Sequence, residues 1–229
     1  MHADTDTMTV TPAAARGTLI VFARRPIPGR CKRRLAHAVG PRRAARLYAA
    51  TLARTLAEVE RVAHVRRVLL AVTAADAAWF RVALHGRGWL VGRQAAGDLG
   101  CRMERALAGA ARHGRYALLI GSDMLDVDAA DLAAARDVLR AGRDVVLGPA
   151  ADGGYWLIGV RRSCPALFVD MPWGGSTVCR KTRARAAAAG FTLGEVAARH
   201  DLDRGRDLVR RRPRRHQRRR ARSRSSSAT

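Results

Sequence analysis

Carboxylate and glycine come together in the run Asp144 to Gly159, DVVLGPAADGGYWLIG. An apolar strand (Val145, Val146, Leu147) ends at Gly148-Pro149. A polar loop then carries Asp152, Gly153 and Gly154, and an apolar stretch resumes from Tyr155 to Ile158. A buried strand that stops at such a loop places its carboxylate in the crevice beyond the sheet, where open α/β folds bind ligands. Glycines have no Cβ, so the backbone can take positive φ and a ligand can come close. Asp-Gly is also a strong signal for a plain hairpin turn. The run alone leaves turn and site both open.

Two other strand ends carry charge. Tyr116 to Ile120 reads as a buried strand that runs directly into Gly121-Ser122-Asp123. A carboxylate there projects into the sheet-end crevice and suits Mg²⁺, a hard cation that keeps some coordination sites for phosphate. The alternative for Asp123 is a loop cap. Thr18 to Ala23 reads as the first strand and breaks into RRPIPGRCKRRL, residues 24–35. Pro26 and Pro28 stop regular structure and Gly29 allows a tight turn. Arg24, Arg25, Arg30, Lys32, Arg33 and then Arg34 crowd this turn. Such a loop can hold phosphate oxygens or be a solvated basic surface. It lacks the P-loop spacing of glycine, lysine and Ser/Thr. Asp98, after Gly97, caps a helix or orders a nucleotide loop. His200-Asp201-Leu202-Asp203 follows a last strand, Phe191 to Val196, and Asp203 is either a metal ligand or a helix cap.

Alternating strands and helices must position these groups. A long Ala/Leu-rich helix is expected from Pro41 to about Val62, with Leu47, Leu52, Leu56 and Val59 along one face. A strand follows at Val65 to Val72, then a helix at Ala74 to Leu84, a strand at Trp89 to Val91 and a helix after Asp98. Asp128 and Asp131 open a helix to about Ala141, where the dipole favours acidic residues. Ser176 or Thr177 is expected to cap the helix that runs to about Ala189. The alternation predicts an α/β domain, a mostly parallel sheet with helices on both faces.

The chain has 229 residues, 48% hydrophobic and 5% aromatic, enough for one buried core. Its formal charge is +24, of which residues 204–229 supply +11. Arg210 to Thr229 is Arg/Ser-rich and cannot build a core, so residues 209–229 are expected to be a disordered tail. It could touch nucleic acid or acidic partners non-specifically. Residues 1–17 read as a flexible leader, with Met8 as an alternative start and no signal-peptide pattern. Cys31, Cys101, Cys164 and Cys179 show no Cys-x-x-Cys spacing, which fits reduced thiols in a cytoplasmic protein. No apolar run approaches the ~20 residues of a membrane helix.

In combination, FARRPIPGRCKRRL (22–35), QAAGDLGCRM (94–103), LLIGSDMLDV (118–127), DVVLGPAADGGYWLIGV (144–160), PWGGSTV (172–178) and DLDRGRDL (201–208) resemble a bacterial glycosyltransferase-A-like family of the nucleotide-diphospho-sugar transferase fold. Some members of that family, long of unknown function, are labelled arsenosugar-biosynthesis glycosyltransferases. The resemblance covers about residues 18–208 and implies a three-layer α/β/α domain. It also implies roles. Asp123 holds Mg²⁺ or Mn²⁺ against a nucleotide diphosphate, with Asp203 as a further ligand. Pro28, Gly29, Arg30, Lys32 and Arg34, together with Gly97 and Asp98, lie along the nucleotide and its phosphates. Asp152, Gly153, Gly154, Tyr155 and Trp173 face the acceptor or sugar. The sequence departs from the family pattern at Arg33, where a threonine is usual, and at Leu125, where Asp-x-Pro is usual; the polybasic tail has no counterpart.

The activity so implied is metal-dependent transfer of a sugar from a nucleotide sugar to a small-molecule acceptor. Nucleotidyl transfer to a small phosphorylated substrate, in the manner of the cytidylyl- and guanylyltransferases of the same fold, is the alternative. A nucleic-acid-binding protein driven by the tail is the third.

Overall fold

The computed structural model describes residues 17–199. Residues 1–16 of the expected leader, Asp203 and the basic tail lie outside the described residues, and Gly17, expected to end the leader, begins the first strand. Seven strands form one sheet: β1 (Gly17–Ala23), β2 (Val65–Ala71), β3 (Trp89–Arg93), β4 (Ala117–Gly121), β5 (Val145–Pro149), β6 (Tyr155–Val160) and β7 (Leu193–Glu195). Their order is β3-β2-β1-β4-β6-β5-β7. Only β6 runs against the others, pairing antiparallel with β4 and β5. The sheet is therefore mostly parallel, as expected.

Helices α2 (Pro41–Glu60), α3 (Ala74–Ala83) and α5 (Ala129–Arg140) cover one face, and α4 (Leu99–Arg112) and α6 (Val178–Ala188) cover the other. The strand period divides the core between the two faces. Leu19 and Val21 of β1 face Tyr48, Leu52 and Leu56 of α2, while Ile20 joins Met103 and Leu107 of α4. The result is three layers with a core on each side of the sheet.

Helix starts follow local chemistry. Asp128 and Asp131 form a reciprocal capping box at α5, and Asp98 accepts the Cys101 N–H at 2.8 Å to cap α4. Two expectations need correction. A short helix, α1 (Arg33–Val39), precedes α2, and Lys32 enters it in the left-handed region at φ 47°. Its few apolar positions are too short a pattern to separate from the basic loop by periodicity. At α6, Thr177 occupies the cap position without a side-chain capping bond. The Cys179 N–H instead donates to the Gly153 carbonyl at 2.9 Å, so the loop between β5 and β6 supplies the acceptor.

The chain reverses direction across the sheet at β1 and β4. From β1 it moves outward to β2 and β3, then returns to β4 on the other side. A crevice opens at such a switch point, beyond the carboxyl ends of the strands. Ala23, Gly121 and Pro149 all end at that edge, which brings the basic loop, Asp123 and the loop 150–154 together.

Candidate functional site

Two cavities open at this edge. Residues Phe22, Leu99, Gly121 and Asp123 line both, so Asp123 stands on their common wall.

The first cavity, about 510 Å³, is basic. Arg24, Arg30, Lys32, Arg33, Arg34 and Arg102 line it. The left-handed turn at Lys32 sends its side chain inward, where it is only 8% exposed, and Nζ lies 2.5 Å from Asp123 Oδ2. Arg24 Nη1 donates to the Arg30 carbonyl at 3.2 Å and ties the loop across itself. Pro28 and Gly29 shape the turn without lining the cavity, and Gly29 takes φ 77°. Arg25 leaves the cavity to lie over the Trp79 ring, 5.4 Å from its centroid.

Sequence reasoning missed three residues that hold this wall. The buried Tyr48 hydroxyl of α2 accepts from the Arg24 N–H at 3.2 Å and meets Ser122 Oγ at 2.8 Å. It thus clamps the loop after β1 to the loop after β4. Burial pushes the Tyr48 phenol up, so it stays neutral and hydrogen-bonding. Buried Gln94 donates to the Leu70 carbonyl at 2.9 Å and accepts from Arg102 Nη1 at 3.1 Å, which aims Arg102 into the cavity. Tyr48 sits on the apolar face of α2 and looks like core in the sequence; only its distant partners mark it. Gly97 and Asp98 line neither cavity. Asp98 acts as the α4 cap, and Gly97 takes φ 110°.

The second cavity, about 280 Å³, is mostly apolar. Met103, Leu119, Tyr155, Trp156, Trp173 and Val178 form its walls, with Asp123 and Asp152 at its polar side. Asp152 Oδ1 accepts the Gly154 N–H at 2.9 Å, a bond that fixes the carboxylate on its loop. The loop is both a turn and a cavity wall: residues 150–154 connect the antiparallel β5 and β6, and Ala150, Asp152 and Gly154 line the cavity, whereas Gly153 lines neither cavity. The close approach expected at the two glycines is made by the chain itself. Gly153 takes φ 90°, and a Cβ there would lie 2.0 Å from the Ser176 carbonyl oxygen. Gly154 keeps negative φ, and a Cβ would meet only Asp152 Oδ1 at 3.2 Å.

Trp173 stacks on Phe168, with centroids 6.5 Å apart and planes at 26°, and stands edge-on to Tyr155. Its indole N–H is buried without a partner among the described residues. Burial also raises the Tyr155 phenol well above its usual range, so it stays neutral at any physiological pH.

Asp123 offers one hard oxygen donor at the edge of a basic cavity. No group of three or more His, Cys, Asp or Glu that could hold a metal ion is found among the described residues. The donor set therefore fits a cation that draws most of its ligands from phosphate and water, as Mg²⁺ commonly does, rather than an all-protein cage. No helix among the described residues is long and apolar enough to cross a membrane.

Three layers with a charged crevice at the switch point are the plan of a nucleotide-binding α/β fold, and comparison with known proteins gives the class as the nucleotide-diphospho-sugar transferase fold. The chain belongs to the family described as uncharacterized proteins conserved in bacteria, DUF2064, whose model matches residues 55–175. That stretch includes Asp123, Asp152 and Trp173 and excludes the basic loop. A crystal structure from Desulfovibrio desulfuricans G20, provisionally named a nucleotide-diphospho-sugar transferase, is similar at 30% identity. The match covers 82% of each chain, with a TM-score of 0.76. Rv0371c of Mycobacterium tuberculosis H37Rv in complex with manganese is 21% identical over 84% of this chain and 95% of its own, with a TM-score of 0.51. The 4-diphosphocytidyl-2C-methyl-D-erythritol synthase of Anaerococcus prevotii DSM 20548 is 9% identical over 84% and 95%, with a TM-score of 0.55. The last two share the fold. No curated protein matches the chain.

Proposed function

We propose that the protein is a glycosyltransferase that moves a sugar from a nucleoside-diphosphate sugar to a small acceptor. One observation carries this reading: Asp123 stands on the wall between a cavity lined by six cationic side chains and an apolar cavity holding a second carboxylate. The basic cavity suits the nucleotide diphosphate and the apolar one the acceptor. The bond that breaks would then lie near Asp123.

Lys32, Arg30 and Arg34 stand where they can offset the negative charge that gathers on a departing diphosphate. Asp123 is the residue that would hold Mg²⁺ or Mn²⁺, which when bound supplies further neutralisation of that charge. Asp152 is assigned as the base that takes the proton from the acceptor hydroxyl, with its carboxylate held in place by the Gly154 N–H. Trp173 and Tyr155 form the wall against which the acceptor packs. Asp203, as an additional ligand, is part of the same proposal but lies outside the described residues.

The test is a thermal-shift and titration panel of nucleoside diphosphates and nucleotide sugars, with and without Mn²⁺, on the parent and Asp123→Ala. Cation-dependent stabilisation by a nucleoside diphosphate, lost in the variant, supports the reading. Equal binding and equal cation dependence in both proteins removes Asp123 from the role.

Nucleotidyl transfer is the second reading, favoured by the number of cations, since six can also screen a triphosphate. Product analysis separates the two. Glycosyl transfer releases a nucleoside diphosphate from a nucleotide sugar, and nucleotidyl transfer releases pyrophosphate from a triphosphate.

A further inference from the structure

We infer that the apolar cavity selects a neutral acceptor alcohol with an apolar, single-ring body, and excludes phosphorylated acceptors and free polyols. The word acceptor rests on the glycosyl-transfer reading; the selectivity rests on the cavity walls alone.

The two cavities divide charge sharply. No Arg, Lys or His lines the apolar cavity among the described residues, and its only ionised groups are Asp123 and Asp152. A phosphate or carboxylate entering it would meet the Asp152 carboxylate and no cation directed into the space, since Asp123 is already paired with Lys32, and this is unfavourable. The Lys32 ammonium, the nearest compensating charge, is already engaged with Asp123 and faces the other cavity. A polyol does little better. Leu99, Met103, Leu119 and Val178 offer no hydrogen-bond partner, so each hydroxyl turned toward them would lose its water without replacement. An apolar ring meets these walls and the Trp173 face favourably, with its one hydroxyl left for Asp152. The volume of about 280 Å³ stands at the small end of ligand cavities, which suits a single ring.

Trp173 is the specificity-determining wall, and Gly100 of α4 positions it. A Cβ at Gly100 would lie 2.8 Å from Trp173 Cζ2 and 2.7 Å from the Phe168 carbonyl oxygen. Any side chain there must push the indole away, so glycine in the first turn of α4 lets Trp173 close the cavity.

The experiment is a ligand-observed NMR titration of the full chain with three six-membered rings: cyclohexanol, myo-inositol and cyclohexyl phosphate. UDP and GDP binding is measured on the same samples. Cyclohexanol is expected to bind at least about tenfold more tightly than either competitor. Trp173→Ala should remove that preference and Gly100→Ala should weaken it, while nucleotide binding stays as in the parent. Gly175→Lys, at an exposed position that lines only this cavity, adds a cation to the wall and should turn cyclohexyl phosphate into the preferred ring. Tighter binding of myo-inositol or cyclohexyl phosphate to the parent overturns the inference, as does ring binding that ignores both Trp173→Ala and Gly175→Lys. Failure of nucleotides to bind while the ring preference holds would sink glycosyl transfer and leave the cavity's selectivity standing.

Discussion

Lys32 Nζ and Asp123 Oδ2 lie 2.5 Å apart, although 91 residues separate them in the chain. The lysine is nearly buried and the aspartate about one-third exposed. This pair joins the loop after β1 to the loop after β4 and fixes the wall between the two cavities. Removing the carboxylate leaves a buried ammonium without a partner, a more costly change than losing an exposed ion pair. Asp123→Ala is expected to lower stability by about 1–2 kcal/mol, whereas Lys32→Met, which removes the buried charge and keeps the stem, should cost less. Denaturant titrations of the two variants check the order; a smaller loss in Asp123→Ala contradicts it.

The first glycine of the Asp-Gly-Gly loop is predicted to be far less replaceable than the second. Gly153→Ala forces a side chain into positive φ and onto the Ser176 carbonyl, so the loop must move and α6 loses the Gly153 acceptor of its first turn. A loss of more than about 2 kcal/mol is expected. Gly29→Ala meets only the backbone strain, since nothing lies within 4 Å of its Cβ position, and should cost about 1 kcal/mol. Gly154→Ala should be milder than Gly153→Ala. Thermal melts of the three variants rank them.

Thiol chemistry should single out one cysteine. Cys101 is exposed, whereas Cys31, Cys164 and Cys179 are buried. Burial raises the thiols of Cys31 and Cys179 and pushes that of Cys164 up to about 11. At pH 8 the native protein should therefore release one equivalent of chromophore quickly with a disulfide reagent, and the remainder only on unfolding. Cys101→Ser should abolish the fast phase; a fast phase that survives refutes the assignment.

Acid should unfasten the start of β5. The Asp144 carboxyl is held below its ordinary value of 3.8, first by the Thr192 N–H at 2.9 Å, then by the Thr192 hydroxyl at 2.8 Å, with Arg162 adding attraction. A folded-state value below the unfolded one means stability that is present above about pH 4 and lost as pH falls through the folded value. Asp144→Asn should melt about 2–4 °C below the parent at pH 6, and the gap should close as pH falls through the lowered folded-state value. A gap that is unchanged by pH would show that the charge contributes nothing.

Much of the architecture was legible because period and punctuation are local properties. The apolar runs at Leu19–Val21, Leu118–Ile120 and Val145–Leu147 marked the central strands, and Asp98 and Asp128 marked helix starts through bonds to residues three positions on. Helix α1 was not legible, because seven residues after a basic loop carry too short a pattern. Neither was the missing cap of α6, whose acceptor comes from Gly153 in the loop between β5 and β6.

The candidate site divides in the same way. Residue type and strand-end position marked Asp123, Asp152 and the basic loop as candidates, with a loop cap, a plain turn and a solvated surface left open as the alternatives. They could not place Tyr48 between Arg24 and Ser122, or show that Asp98, read as a helix cap or a nucleotide-loop residue, lines neither cavity. Nor could they separate the charges. The sequence by itself determined a mostly parallel α/β sheet, with carboxylates and cations at its strand ends, because those features follow from alternation along the chain. Only the tertiary structure decided that the cations line one cavity and the apolar rings another. That division depends on strand order, which puts β1 beside β4, and on side-chain directions set by contacts between residues far apart in the chain.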